Sequence, residues 1–208
     1  MRVGGFGGIA GLSGYLRQER IGAVVNATHP FAAQMSRHAF EACASAGVPL
    51  LVFTRPPWLR QPDDDWREVD DAEGAVAALG AAPACVFLTL GRLHLSAFAK
   101  APQHRYLLRA IDPAPEMALL RNVRLIQARG PFDLSEEIKL MRAERVEILV
   151  TKNSGAEATA AKIEAARMLR LPVAMLRRPP PTLAKTVVDL ADAMAWLDQI
   201  RAAHAGAS

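Results

Sequence analysis

Two stretches of this chain, far apart, follow one plan. Residues 21–57 and 146–180 each read as a buried strand, a polar loop, a helix with one apolar face, a second strand entered through a proline, and an Arg-Pro-Pro ending. The segment from Gly47 to Pro57 matches the segment from Arg170 to Pro180 in pattern. A helix between two strands carries the chain back to the end it left, so the strands run parallel. The alternation continues elsewhere. Ala72 to Leu79 reads as a small helix, and Val86 to Leu90, Tyr106 to Ile111 and Val123 to Ala128 read as strands. Asp133 with Glu136 three residues on has the form of a capping box ahead of a helix. Leu190, Met194 and Leu197 mark a closing helix, with the tail after Ala202 expected to fray. Arg2-Val3 opens a stub of strand, and Asp63-Asp64-Asp65 reads as a polar surface loop.

Parallel strands are covered on both faces. The expected fold class is therefore α/β, with two Rossmann-like three-layer domains and mainly parallel sheets. The boundary is expected near residue 95, giving an N-terminal domain of 1–95 and a C-terminal domain of 96–208, with a ligand cleft between them. Ligands of such sheets bind at the carboxyl ends of strands, so the loops that follow strands are the places to look.

Composition removes several classes. Hydrophobic residues make up 51% of the 208, enough for one large domain or two small ones. The only cysteines are Cys43 and Cys85, too few for a disulfide framework. No apolar run approaches a membrane span, and the N-terminus lacks a signal-peptide core, so a soluble cytoplasmic protein with no membrane partner is expected. The net charge is +4, with the basic residues placed singly at the ends of apolar runs. That placement suits an acidic small molecule better than nucleic acid. An Arg-rich solvated surface accounts for the charge equally well.

Five loops carry candidate chemistry. Gly5-Phe6-Gly7-Gly8-Ile9-Ala10 fits G-x-G-x-x-A before a helix, which serves either a pyrophosphate or a plain glycine turn. In Asn26-Ala27-Thr28-His29-Pro30-Phe31, helix capping explains Thr28 and Pro30 but leaves His29 unexplained. No second histidine or carboxylate stands at metal-ligand spacing, so no metal is expected. Thr89-Leu90-Gly91-Arg92 offers close backbone approach and an anion contact, or a solvated turn. Arg129-Gly130-Pro131-Phe132 ends a strand, as Arg109 does, and each arginine either meets an acidic ligand or lies over the core. Thr151-Lys152-Asn153-Ser154-Gly155 gathers a cation, an amide, a hydroxyl and a glycine at one helix start, a set suited to carboxylate or phosphate. Lys162 falls on the polar face of the next helix and reads as surface.

Taken in order, these loops resemble the precorrin-6A reductase family. Its Asp-Ala-Thr-His-Pro-Phe-Ala stands here as Asn26 to Ala32, its Arg-Gly-Pro-Phe as Arg129 to Phe132, and its Thr-Lys-Asn-Ser-Gly as Thr151 to Gly155. The Gly-rich opening, the Thr-x-Gly-Arg loop and the helix bearing Lys162 and Arg167 also fit, so the resemblance spans nearly the whole chain. It implies an NADPH-dependent oxidoreductase acting on a CH–CH bond, which reduces precorrin-6A, or its cobalt-containing equivalent, to precorrin-6B in cobalamin biosynthesis. It implies NADPH near Gly5, Gly7, Thr28, His29, Gly91 and Arg92. It places tetrapyrrole carboxylates near Arg129, Lys152, Asn153, Ser154 and Gly155, with His29 and Lys152 as candidate proton donors. Two departures stand out. Asn26 replaces the usual Asp, and the family has a strand, a Gly-Gly-Thr-type loop and a helix ahead of the segment that here contains Met1, roughly one βαβ unit of 30 or more residues. The alternatives are a tetrapyrrole- or nucleotide-binding module without catalysis, and a nucleic-acid binder, against which the scattered basic residues argue.

Overall fold

The computed structural model describes residues 4–205, and the strand stub expected at Arg2-Val3 lies outside them. In chain order the elements are α1 (Gly8–Gln18), β1 (Val24–Asn26), α2 (Ala33–Ala46), β2 (Leu50–Phe53), β3 (Trp66–Val69), α3 (Ala72–Leu79), β4 (Cys85–Leu88), α4 (Leu95–Phe98), β5 (Arg105–Ala110), β6 (Val123–Gln127), α5 (Leu134–Ala143), β7 (Ile148–Lys152), α6 (Ala161–Met168), β8 (Val173–Leu176), β9 (Lys185–Val187) and α7 (Leu190–Ala205). Short 3-10 turns cover Arg92–His94, Pro115–Leu119 and Glu157–Thr159. The closing helix runs on to Ala205, past the point where fraying was expected.

The chain divides into two compact units. The first joins residues 1–56 to residues 179–208, and the second is residues 57–178. This differs from the expected boundary near residue 95. β4 and β5 lie on opposite sides of that point, yet they pair in parallel in one sheet, Val86 facing Tyr106 and Leu88 facing Leu108. A division there would cut through a hydrogen-bonded ladder.

The second unit is built on six parallel strands in the order β3-β8-β7-β4-β5-β6. From β4 the chain adds β5 and β6 on one side, then returns to set β7 on the other side of β4, and β8 beyond it. This is the doubly wound order, and the direction of travel reverses between β4 and β7. The pleat sorts the side chains. Cys85, Phe87, Leu107, Leu149, Val173 and Met175 pack with Met141 of α5 and Ile163, Ala165 and Ala166 of α6. The intervening positions point the other way, where Tyr106 meets Phe98 of α4 edge to face at 5.8 Å. Its hydroxyl donates to the Ala101 carbonyl at 2.7 Å, and burial pushes its pKa up to about 12.

The first unit is a three-stranded parallel sheet, β1-β2-β9. On one face Leu12 and Leu16 of α1 pack with Ala39, Ala42 and Cys43 of α2. On the other, Leu51 of β2 packs with Ala193 and Trp196 of α7. The repeated plan in the sequence is thus realised twice, as β1-α2-β2 and as β7-α6-β8, each a parallel neighbour pair. Neither β3 nor β9 is legible in the sequence. Trp66–Val69 buries only its first residue fully, and Lys185–Val187 is three residues with no apolar period. Both are strands because a neighbouring edge pairs with them.

The Asp63–Asp65 segment departs from a simple surface loop. Asp64 is buried, its carboxylate accepting from Gln61 N at 2.7 Å and from Arg167 Nε at 2.9 Å. The expected capping box is half formed. Asp133 accepts from the backbone of Ser135 and Glu136, but Glu136 pairs with Lys139.

Candidate functional site

In the second unit the strand order reverses between β4 and β7, and the carboxyl ends of such sheets are where ligands bind. β4 leads into Thr89-Leu90-Gly91-Arg92. Thr89 is fixed by its amide and hydroxyl, which donate to the Val150 carbonyl of β7 at 3.0 and 3.2 Å. Gly91 is exposed, with open space where a side chain would stand, and Arg92 is exposed beside it. A depression of about 450 Å³ at the ends of β4 and β5 is lined by Thr89, Gly91, Arg92, Arg109, Asp112 and their neighbours. β7 ends in Lys152, half-buried, and burial pushes its pKa below the usual lysine value. His94 is held below its ordinary value first by burial and then by the Lys152 charge. His94 went unnoticed in the sequence, where it stands in no recognisable motif.

Beside this depression, at the ends of β5 and β6, lies a smaller pocket of about 170 Å³. Its lining includes Arg109, Arg129, Phe132, Thr159 and Lys162. Arg109 does not face a ligand as a free cation. It is buried in a two-pronged pair with Glu137 of α5, Nη1 to Oε2 at 3.0 Å and Nη2 to Oε1 at 2.6 Å. Its guanidinium lies over the rings of Phe87 and Phe132, at 4.8 and 4.0 Å from their centroids. Phe132 is held there because its amide donates to the Ala158 carbonyl at 3.1 Å. That approach requires a glycine two residues earlier, since a Cβ on Gly130 would stand 2.8 Å from the same carbonyl oxygen. Arg129, in contrast, is exposed.

Lys162 overturns its sequence reading as surface. It is only 6% exposed, and no hydrogen bond or ion pair engages its ammonium among the described residues. The ammonium lies 5.2 Å from the Trp58 ring centroid. Burial first, then the Arg109 charge, push its pKa down to about 8, with Glu137 opposing. The helical period puts Lys162 among polar neighbours, and only the tertiary fold shows what covers it.

The Thr151–Gly155 loop divides its labour. Both ends of the Asn153 amide are bound to the Trp58 backbone, Oδ1 accepting from its N–H at 2.8 Å and Nδ2 donating to its carbonyl at 3.0 Å. Arg178 Nε donates to the Asn153 carbonyl at 2.8 Å. Asn153 therefore positions Trp58 instead of turning its amide to a ligand. Ser154 is buried, its hydroxyl accepting from Ala156 N at 3.4 Å in a local turn. Gly155 has a φ of 66°, in the region that favours glycine.

In the first unit, the ends of β1 and β2 form a depression of about 300 Å³ lined by Ala27, Thr28, His29, Pro30, Phe53, Thr54 and Arg55. Asn26 is buried below it. Its Oδ1 accepts from the Thr28 hydroxyl at 2.8 Å and the Thr28 N–H at 3.2 Å, while Nδ2 donates to Ser36 at 3.0 Å. Both the oxygen and the nitrogen of the amide are engaged, so an Asn at this place builds the turn without a charge. His29 Nδ1 accepts from Phe31 N at 3.1 Å, which leaves the proton of the neutral ring on Nε2. Gly7 precedes α1 in the left-handed region with no side-chain cap, and Gly5 and Gly7 both have open space where a Cβ would stand. The sequence candidates thus gather as two groups, Gly5, Gly7, Thr28 and His29 in the first unit and Gly91, Arg92, Arg129, Lys152 and the Asn153–Gly155 turn in the second. Among the described residues no cluster of His, Cys, Asp and Glu has the arrangement of a metal site, and no helix is long and apolar enough to cross a membrane.

These donors, backbone at exposed glycines with Thr, His, Arg and Lys side chains, fit anionic ligands such as a dinucleotide and a polycarboxylate. A family profile described as "Precorrin-6x reductase CbiJ/CobK" matches residues 1–198. The precorrin-6A reductase of Rhodobacter capsulatus is 47% identical over 196 residues, covering 94% of this chain and 78% of that one. That of Rhodococcus erythropolis is 46% identical over 198 residues, covering 95% and 79%. A solved structure described as CobK precorrin-6A reductase superposes with a TM-score of 0.90 at 47% identity, over 96% of this chain and 79% of that one. The chain belongs to the precorrin-6x reductase family and is an oxidoreductase.

Proposed function

We propose that this protein reduces one double bond of precorrin-6A, or of its cobalt-containing equivalent, to give precorrin-6B, with NADPH as the reductant. Family membership over residues 1–198 carries the reading, and the basic, glycine-lined strand ends support it. In the first unit Gly5, Gly7, Thr28 and His29 are the candidates to bind the dinucleotide; in the second, Gly91 and Arg92 offer an anion contact. Arg129 and Lys152 meet substrate carboxylates, and the Asn153–Gly155 turn sets their surroundings. NADPH supplies a hydride to one carbon of the double bond when bound. The other carbon takes a proton, and the candidates to deliver it are Lys152 and His29. Burial makes the Lys152 ammonium a stronger acid than that of an exposed lysine.

The test begins with calorimetry of NADPH, with NADH as control, followed by turnover of both pigments. Binding with preference for NADPH and reduction of either pigment support the reading. Retention of the pigment without reduction under NADPH would favour a binding module instead. In an active protein Lys152→Met should lower kcat at saturating substrate by about 100-fold, the usual weight of a general acid. An unchanged kcat in both Lys152→Met and His29→Ala would remove proton delivery from these residues.

A further inference from the structure

The two Arg-Pro-Pro endings mark the places where the chain passes from one unit to the other, between Pro56 and Pro57 and between Arg178 and Pro179. Proline fixes φ, and consecutive prolines stay extended, so each crossing is short and stiff. Its course then depends on what holds its base. In the second unit one residue holds both bases. Asn153 follows β7, which lies between β8 and β4 inside the six-stranded sheet. Its side chain grips the first residue after one proline pair, Oδ1 accepting from the Trp58 N–H at 2.8 Å and Nδ2 donating to the Trp58 carbonyl at 3.0 Å. Its main chain holds the residues ahead of the other. The Asn153 N–H donates to the Leu176 carbonyl at 3.0 Å, and the Asn153 carbonyl accepts from Arg178 Nε at 2.8 Å. An amide is required for the first grip, because an ionised carboxylate has no donor for the Trp58 carbonyl.

We propose that Asn153 is a positioning residue for the reaction, fixing the course of both crossings at once. The inference rests on the function proposed above, which gives the dinucleotide to the first unit and the pigment to the second. Hydride transfer needs its donor and acceptor carbons near contact, and a misplacement of about 1 Å can lower a rate by about 100-fold. Two stiff connections that start from one residue on a central strand share a single fixed base. Loosening either grip lets that crossing swing while each unit keeps its own fold and its own ligand groups. Asn153 needs no contact with a ligand to have this effect, since its N–H, its carbonyl, Oδ1 and Nδ2 are all engaged within the second unit. This role differs from its sequence reading as a contact of the substrate.

The experiment compares the wild-type chain with Asn153→Ala, which frees Trp58 but keeps the main-chain grip on Arg178, and with Arg178→Met, which frees the other crossing. KM for the pigment, kcat and the NADPH dissociation constant are measured for all three. Each variant should lower kcat by about tenfold or more, with KM and NADPH affinity nearly unchanged. Hydrogen exchange at the Trp58 amide should quicken in Asn153→Ala, as expected of a local release. A raised KM in Asn153→Ala, with Arg178→Met equal to wild type, overturns the inference in favour of a ligand contact. A fall in kcat confined to Asn153→Ala also overturns it, because the effect would then belong to Trp58 alone. Unchanged kcat in both variants overturns it while leaving the proposed function standing. Should the wild-type chain neither bind nor reduce the pigment, the functional reading falls and takes the inference with it. A folding defect in Asn153→Ala would be exposed by a lowered melting temperature, and the Arg178→Met result then decides.

Discussion

Glu137→Leu should destabilise the second unit by about 3–5 kcal/mol, the usual cost of removing one partner of a buried ion pair. Glu137 and Arg109 are 3% and 8% exposed at their side chains, so neither charge has water to fall back on. The loss is so large because Arg109 would then be stranded. Its Nε already lacks a partner, and what remains around the guanidinium is the Phe87 and Phe132 rings, which contribute much less than a carboxylate. Hydrogen exchange at the β4 and β5 amides reads this unit alone. The double variant Arg109→Met with Glu137→Leu should recover most of the loss, because an apolar pair of similar volume is often no worse than a buried ion pair. A single-variant loss under about 1 kcal/mol would mean that solvent reaches the pair.

Lys162→Met should move stability the other way, by about 3 kcal/mol at pH 7, from the drop in pKa between the ordinary 10.5 and about 8. The sign follows from proton counting. Between those two values the unfolded chain binds a proton at this lysine that the folded chain resists, so wild-type stability rises as pH climbs from about 8 to 10.5. Below pH 8 the folded protein carries the full penalty of the buried charge. The variant never carries it. The difference between the two proteins should therefore be level below pH 8 and close as pH approaches 10.5. Urea unfolding at a series of pH values checks this, and a gap that does not change with pH would assign the effect to packing.

How much of this was written in the sequence can be argued from particular residues. The parallel sheets follow from the two Arg-Pro-Pro repeats and the alternation between them, and the loops after β1, β4 and β6 line depressions. Local pattern could not show what a side chain meets across the fold. By local pattern Asn153 looks like a ligand contact and Asp64 like part of a solvated loop. Each is held by a partner about a hundred positions away or nearly so, Trp58 for Asn153 and Arg167 for Asp64. Arg109 looks available until Glu137 is placed beneath it. Lys162 sits on the polar side of its helix by period, and only Trp58, arriving from another part of the chain, covers it. The domain boundary failed for a related reason. Chain order puts β3 with the elements before it and β9 with those before it, while edge pairing assigns β3 to β8 and β9 to β2.

That last pairing sets a timetable for the ribosome. Residues 57–178 form an unbroken stretch, so all six strands of the larger sheet can assemble once β8 has emerged. The smaller sheet cannot. Its β2 waits with an open parallel edge until Lys185–Val187 is made, and Leu51 waits for Ala193 and Trp196. Nascent chains usually finish an earlier portion before a later one; here the strands made before residue 57 would be completed after the unit that follows them. Until then an apolar strand edge stands uncovered, and an interrupted or slowed translation beyond residue 178 would leave the chain most prone to pairing with its neighbours at Leu50–Phe53.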